Sequence, residues 1–340
     1  MFDAAVNRLR ILASLKLTLL GIIALLLGVL LSYFSREHSS LYINLPLALL
    51  AANLLAAIVF NPRIRQNTGL LMFHICLLMI ALLTMLSQLT SMKGRVEIVQ
   101  GTAFDANSVT LTKQGAWHPL DRLQRVGFVQ GDITVDYVAG LRRGATRSQL
   151  LPAGSDAVVI GDNLAFTSQG YRFYTSSNKG FAAIINWYSK EGQIARGAIH
   201  FPSYPLYDWK QHNQWQAPSG ERLDFRLMIE TPLDSERDWT LRNTENGTME
   251  LILPDKTVRT LKPGEYIQLD HGLLEFEAIR MWMGYKIFFD PFLAWFFAAA
   301  LVGVAGLGWH YYLKLSSPGK THRIAGENVG RGRAVSTTQS

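Results

Sequence analysis

The chain has 340 residues, 49% of them hydrophobic and 17% charged, with a formal charge of +7 and one cysteine. A lone cysteine excludes a disulfide framework and a thiolate metal cluster. The excess of positive charge would suit nucleic acid, but its distribution along the chain argues otherwise.

In chain order, Arg8, Arg10 and Lys16 precede an uncharged run from Leu17 to Ser35. A second run covers Leu41 to Phe60, a third Gly69 to Met92, and a fourth Pro291 to Leu313. Spanning ~30 Å of hydrocarbon at 1.5 Å per residue takes about 20 residues, so each run predicts a membrane helix. The first is no cleaved signal peptide, because its apolar stretch is too long and no small-residue cleavage site follows.

Arg63 and Arg65 lie between the second and third runs, and Lys314, Lys320, Arg323, Arg331 and Arg333 follow the fourth. The loop after the first run holds only Arg36 beside Glu37. The positive-inside rule therefore puts both termini in the cytoplasm and the stretch from Lys93 to Asp290 outside. The cytoplasmic pieces carry about +8, leaving the outer domain near neutral. Membrane orientation thus accounts for the charge, and no nucleic-acid partner is expected.

The expected architecture is an integral membrane bundle of four helices, arranged 3 + 1 around a large extracytoplasmic β-rich domain. Residues 1–92 hold an N-terminal cytoplasmic segment and three spans. Residues 93–290 form the outer domain, 291–313 the fourth span, and 314–340 a disordered basic tail.

Within the outer domain, Val96 to Val99, Ile133 to Tyr137, Tyr171 to Tyr174, Leu223 to Leu227, Met249 to Leu253 and Leu274 to Glu277 alternate apolar with polar. That period predicts half-buried strands in one or two antiparallel sheets. Turn signals fall at Val129-Gln130-Gly131-Asp132, Pro254-Asp255-Lys256, Pro263-Gly264-Glu265 and Asp270-His271-Gly272. His200 to Trp215, rich in Pro, Tyr and Trp, reads as a long loop that either buries its rings over the sheet or offers them to a partner or a planar ligand. Asn246-Gly247-Thr248 is a formal glycosylation sequon.

No G-x-S-x-G, H-E-x-x-H, C-x-x-C or phosphate-cradling loop is present, and His118, His200, His212 and His271 lack ligand-pair spacing. Cys76, inside the third run, reads as a small buried apolar residue.

Two histidines lie at membrane depth, where an ionisable group asks for a reason. His74 sits roughly 7 Å in from the cytoplasmic end of the third run and His310 roughly 6 Å in on the fourth. The helices run oppositely, so both imidazoles are expected at one level, facing protein. His74, Ala81, Thr84 and Gln88 form a weakly polar stripe; Ala299, Gly303, Gly306 and His310 form a small-residue face. His74 reads as an interhelical hydrogen-bond partner or a cofactor ligand. His310, flanked by Trp309, Tyr311 and Tyr312, reads first as part of an interfacial aromatic belt and second as a weaker ligand.

The ordered set Leu12-Ala13-Ser14-Leu15-Lys16-Leu17, His74, Lys93-Gly94-Arg95-Val96-Glu97-Ile98, Gly101 and Asp290-Pro291, together with the 3 + 1 layout, resembles the ResB (CcsB) family of system II cytochrome c biogenesis. The resemblance covers most of the chain. It implies a partner, a CcsA (ResC)-like membrane protein, with which the chain moves b-type heme outward for attachment to apocytochrome c. It also implies a heme-iron axial ligand at His74, with the companion ligand supplied by the partner and no family role for His310. The outer domain is shorter than in many members, and the partner is not fused to this chain. Arg63 and Arg65 are placed to pair with heme propionates. With no outer thiol, the chain is not the reductant, and a thiol-reducing protein is a further expected partner. The chain is then a non-catalytic or co-catalytic subunit in the bacterial plasma membrane.

An alternative from another class is a membrane-anchored assembly factor or sensor whose outer domain binds a protein or ligand without heme. A transporter is disfavoured, because the four runs carry no charge to line a path.

Overall fold

The structure, a computed structural model, describes residues 12–35, 41–230, 235–244, 246–253 and 255–316. Arg8, Arg10, Arg36, Glu37, Pro254 and the tail beyond Ser316, with its expected disorder, lie outside these residues. The chain divides into two compact units, 1–85 with 294–340, and 86–293.

Among the described residues, four helices are long and apolar enough to cross a membrane: α1 (Leu15–Phe34), α2 (Leu41–Phe60), α3 (Thr68–Thr90) and α4 (Leu293–Ser316). α1 begins two residues before the expected run because Ser14 caps it, its Oγ accepting the Leu17 N–H at 3.2 Å. α2 matches its run.

α1 and α2 meet at glycines. A Cβ on Gly28 would collide with the Tyr42 carbonyl oxygen, and one on Gly21 would strike Leu50. Pro46, four residues after Tyr42, lacks the N–H that would normally bond that carbonyl, so the glycine approaches an oxygen the helix leaves free. Thr18 Oγ1 donates to Asn53 Oδ1 at 2.7 Å, and Asn53 Nδ2 donates to the Leu12 and Ser14 carbonyls. Asn53 is thus satisfied in an apolar setting where an unpaired amide would cost about 1–3 kcal/mol.

α3 ends at Thr90 rather than Met92, because Met92 joins a strand. Its last carbonyls, which have no partner within a helix, are taken by residues 115–118. Gly115 N–H bonds Ser91 O at 2.9 Å and Trp117 N–H bonds Leu89 O at 2.7 Å. Buried His118 donates from Nδ1 to Thr90 O at 2.9 Å and receives the Tyr171 hydroxyl at Nε2 at 2.8 Å. Burial pushes the Tyr171 hydroxyl up to about 12, so it remains a donor. α4 begins at Leu293, two residues past the expected start, after Asp290 Oδ1 has accepted the Phe292 N–H at 3.0 Å. It runs on to Ser316, with Lys314 in its last turn, where a cation suits the helix dipole.

The other unit is β-rich. Its strands are β1 (Met92–Val99), β2 (Thr110–Gln114), β3 (Phe128–Val138), β4 (Arg142–Pro152), β5 (Val158–Gly161), β6 (Phe166–Ser168), β7 (Tyr171–Ser189), β8 (Ile194–His200), β9 (His212–Gln216), β10 (Arg222–Ile229), β11 (Trp239–Leu241), β12 (Gly247–Ile252), β13 (Val258–Leu261), β14 (Glu265–Leu269) and β15 (Gly272–Phe289). All pairings are antiparallel. They make three sheets rather than one or two: a seven-stranded sheet centred on β1, β15 and β7, and four-stranded sheets β13-β12-β10-β9 and β11-β3-β4-β5.

The long pair β7–β15 is the backbone of the large sheet. Only its ends alternate; Phe181 to Ile185 and Met281 to Met283 are buried at every position. A strand covered on both faces loses its period-2 signature, which is why these strands are far longer than their alternating segments. One continuous core, including Trp187, Phe173, Phe276 and Leu251, links all three sheets.

Two local expectations are corrected. Gly131-Asp132 is a bulge within β3, not a turn, with the β3–β4 register shifting between Gln130 and Ile133. Gln130 occupies the core there because its amide donates to Ser148 Oγ at 2.8 Å and its Oε1 accepts the Tyr285 hydroxyl at 2.5 Å. His200 to Trp215 is not loop throughout: His200 ends β8 and His212 to Trp215 lie in β9. The other turn signals hold: Gly264 has φ 87° between β13 and β14, and Asp270-His271 joins β14 to β15 by a two-residue hairpin.

Candidate functional site

The two deep histidines belong to the helical unit. α3 and α4 approach through small residues. A Cβ on Gly69 would stand 2.7 Å from the Gly306 carbonyl and 2.8 Å from the His310 nitrogen, and one on Gly303 would stand 3.0 Å from Cys76 Cβ. The face expected from Gly303, Gly306 and His310 is therefore a true contact face. Cys76 is buried in it, an apolar filler as expected.

His310 lies on this contact. Its Nδ1 is 2.9 Å from Asn67 Oδ1. That same oxygen accepts the Leu70 N–H at 3.2 Å, so it is an acceptor and His310 Nδ1 carries the proton. Asn67 thereby caps α3 and ties α4 to it, a role that sequence reasoning missed. Its signal was an asparagine just before an apolar run, the usual place for a capping side chain.

His74 is placed differently. It follows Gly69 by five residues, about 7.5 Å along the axis and about 140° around it. The polar stripe it heads is consequently not the surface that meets α4, and the two imidazoles do not face each other at one level, contrary to the sequence expectation. The contact face of α3 is Gly69, Met72, Phe73 and Cys76. Helical periodicity did not reveal this because the apolar residues surround α3 on every side.

The His74 ring is held within its own helix. Nδ1 lies 2.7 Å from the Leu70 carbonyl, which can only accept, so Nδ1 bears a proton and Nε2 is the nitrogen left for another partner. Phe73 meets the ring edge-on, with centroids 5.6 Å apart. A backbone carbonyl holding Nδ1–H is the usual support for an imidazole that binds a metal through Nε2. The donor chemistry thus fits one axial position on a heme iron.

Among the described residues, no group of three or more His, Cys, Asp or Glu side chains could hold a bare metal ion. Arg63 and Arg65 are exposed in a short helix, Pro62–Arg65, that precedes α3.

In the β unit, the aromatic segment after β8 divides its rings. Phe201 and Tyr204 are buried at 1% and 5%, whereas Trp209 is 77% and Leu206 70% exposed. Trp215 packs edge-on to Trp187, with centroids 6.0 Å apart. The stretch therefore buries some of its rings and leaves others exposed. Asn246 of the sequon is exposed. No family model matches the chain, and no curated protein matches it.

Proposed function

We propose that the chain is a ResB-like subunit of a system II cytochrome c synthase, oriented with both termini in the cytoplasm and its β unit outside. It receives b-type heme in the membrane and, with a CcsA (ResC)-like partner, passes it outward for attachment to apocytochrome c, with a separate protein keeping thiols reduced. The observation that carries this reading is the ring of His74. Leu70 O holds its Nδ1–H, and Nε2 is left as a neutral nitrogen ligand in an apolar helix. The ordered sequence motifs and the 3 + 1 arrangement of apolar helices support the same reading.

In this reading His74 offers one axial position and the partner the other, since His310 lies on another face. Binding to heme iron suits a neutral imidazole, whose ring is kept from rotating by the Leu70 bond. His310, whose Nδ1 is engaged by Asn67, is the weaker second ligand. Its bond to Asn67 serves chiefly to hold α4 against α3. The exposed Arg63 and Arg65 supply charge for the propionates. The test is co-expression with the partner, purification in detergent and comparison of heme spectra. Wild type carries heme; His74→Ala loses it or shifts its spectrum, and an unchanged spectrum refutes the assignment.

The exposed Trp209 and Leu206 favour a second reading, a membrane-anchored assembly factor whose outer domain binds a protein without heme. Absence of heme from the purified wild-type complex would select it.

A further inference from the structure

A cavity of about 410 Å³ lies in the β unit, close to where the chain leaves α3 and enters α4. Ser87 and Gln88 lie in the last turn of α3, Ser91 follows it, and Leu293 opens α4. Lys93, Lys113 and Arg172 converge on it from β1, β2 and β7, and Asp290 is its only carboxylate. Tyr174, Phe288 and Phe289 supply an aromatic wall.

The three cations outnumber the one carboxylate, and Asp290, whose charge acts on Lys113, offsets only part of theirs. Asp290 is already occupied, with Oδ2 accepting the Ser87 hydroxyl at 2.7 Å and Oδ1 the Phe292 N–H at 3.0 Å. Among the described residues, no ion pair within 4.0 Å engages Lys93, Lys113 or Arg172. Lys113 donates to the Gln88 amide oxygen, and Lys93 lies 6.0 Å from the centroid of the Phe288 ring. Burial, and then the charge of Lys93, lower the Lys113 pKa, the mark of a cation held without an adequate counter-charge.

We propose that this cavity binds the phosphate of an anionic phospholipid headgroup. Lys93, Lys113 and Arg172 grip the phosphate oxygens, while Phe288, Tyr174 and Leu293 lie against the glycerol and the start of the acyl chains. Its position argues for a lipid rather than a soluble anion. It is walled by the final turn of one apolar helix and the first residue of another, where a bilayer would present its headgroups. Two positive charges in excess select a lipid of net negative charge over a zwitterionic one. The site uses no residue of the His74 assignment and stands independently of it.

The experiment is native mass spectrometry of the full chain, extracted from nanodiscs of phosphatidylglycerol or phosphatidylcholine. Each cation near an anionic headgroup is worth about fivefold in affinity. The triple variant Lys93→Gln, Lys113→Gln, Arg172→Gln should therefore hold phosphatidylglycerol roughly 100-fold more weakly than wild type. A control with Lys190→Gln, Arg222→Gln and Arg259→Gln removes equal charge from exposed positions of the same unit and should bind as wild type does. Should the triple variant fail to melt cooperatively, Arg172→Gln alone decides the matter through an expected loss of about fivefold. Equal retention by the triple variant and wild type, or equal binding of both lipids, overturns the proposal. So does inorganic phosphate alone raising the melting temperature in detergent while phosphatidylglycerol does not, which would make this a small-anion site.

Discussion

The helical unit and the β unit are built on opposite principles of contact. In the β unit a continuous apolar core does the holding, and removing any large side chain from it leaves a hole. In the helical unit most large apolar side chains face outward: Leu26, Leu31, Leu45, Leu301 and Val304 are all at least half exposed. What joins those helices is close approach at Gly21, Gly28, Gly69, Gly303 and Gly306, plus two amide-centred bonds, Asn53 to Thr18 and Asn67 to His310. The difference follows from solvent. Helices long and apolar enough to cross a membrane would meet hydrocarbon there, which gives apolar side chains no reason to hide, so dispersion at small residues and hydrogen bonds would position them.

The sharpest break in the comparison is a core truncation. Trp187, fully buried in β7, should lose about 3–5 kcal/mol of β-unit stability as Trp187→Ala. Chemical denaturation of the detergent-solubilised chain, followed by fluorescence of the remaining tryptophans, measures it. A loss under about 1 kcal/mol would mean that the core is not continuous there.

Next in size is a pH effect confined to the β unit. Lys179 is 4% exposed, lies 5.3 Å from the centroid of the Tyr137 ring, and burial lowers its pKa to about 8. Between that value and the ordinary lysine range, the folded chain has released a proton that the unfolded chain still binds. The contribution of Lys179 to stability therefore rises with pH from about 8, by about 1–3 kcal/mol, until the buried tyrosines, whose pKa values burial raises, begin to oppose it near pH 10. The burial penalty is fully present below pH 8. Protection factors in β7, hydrogen exchange corrected for its own base catalysis, should rise across that window, and Lys179→Met should remove the rise. A flat profile in wild type would contradict the burial of the charged group.

The helical unit should respond instead to added bulk. Gly69→Val places methyl groups against the Gly306 carbonyl and the His310 backbone, and should weaken the α3–α4 contact by about 1–3 kcal/mol. Cysteine cross-linking between the two helices would fall. Smallest is Asn53→Leu, which removes the Thr18–Asn53 bond and the amide donor to the Leu12 and Ser14 carbonyls, leaves the Thr18 hydroxyl only the longer bond to Ser14 O, and should cost about 0.6–1.7 kcal/mol in detergent unfolding. Since a Cβ alone would already stand 2.7 Å from the Gly306 carbonyl, no effect from either Gly69→Ala or Gly69→Val would show that volume is not what limits the approach.

The same contrast explains what could be read from residues alone. Helix positions in the membrane-length runs were legible to within a few residues, because length and absence of charge suffice. Their facing was not, since a helix apolar all round has no preferred side. Hence His310 was placed correctly by its glycines, while His74 was assigned to a face that does not meet α4. In the β unit, alternating segments marked six strands, but Phe181 to Ile185 and Met281 to Met283 gave no alternation because both of their faces are covered. The Gly131-Asp132 bulge carried the same composition as a turn. The cationic cavity was invisible because Lys93, Lys113 and Arg172 come from three separate strands. The Nε2 lone pair of His74 likewise depends on a bond to Leu70 that sequence only permits.

The most direct test of the central claim is chemical rescue at that ring. His74→Gly, co-expressed with the CcsA-like partner and purified, should show a diminished or altered heme spectrum, and added imidazole should restore the wild-type bands. If His74→Gly carries heme with an unaltered spectrum and imidazole changes nothing, the iron is not held by residue 74 and the account of this chain as a heme-handling subunit fails at its ligand.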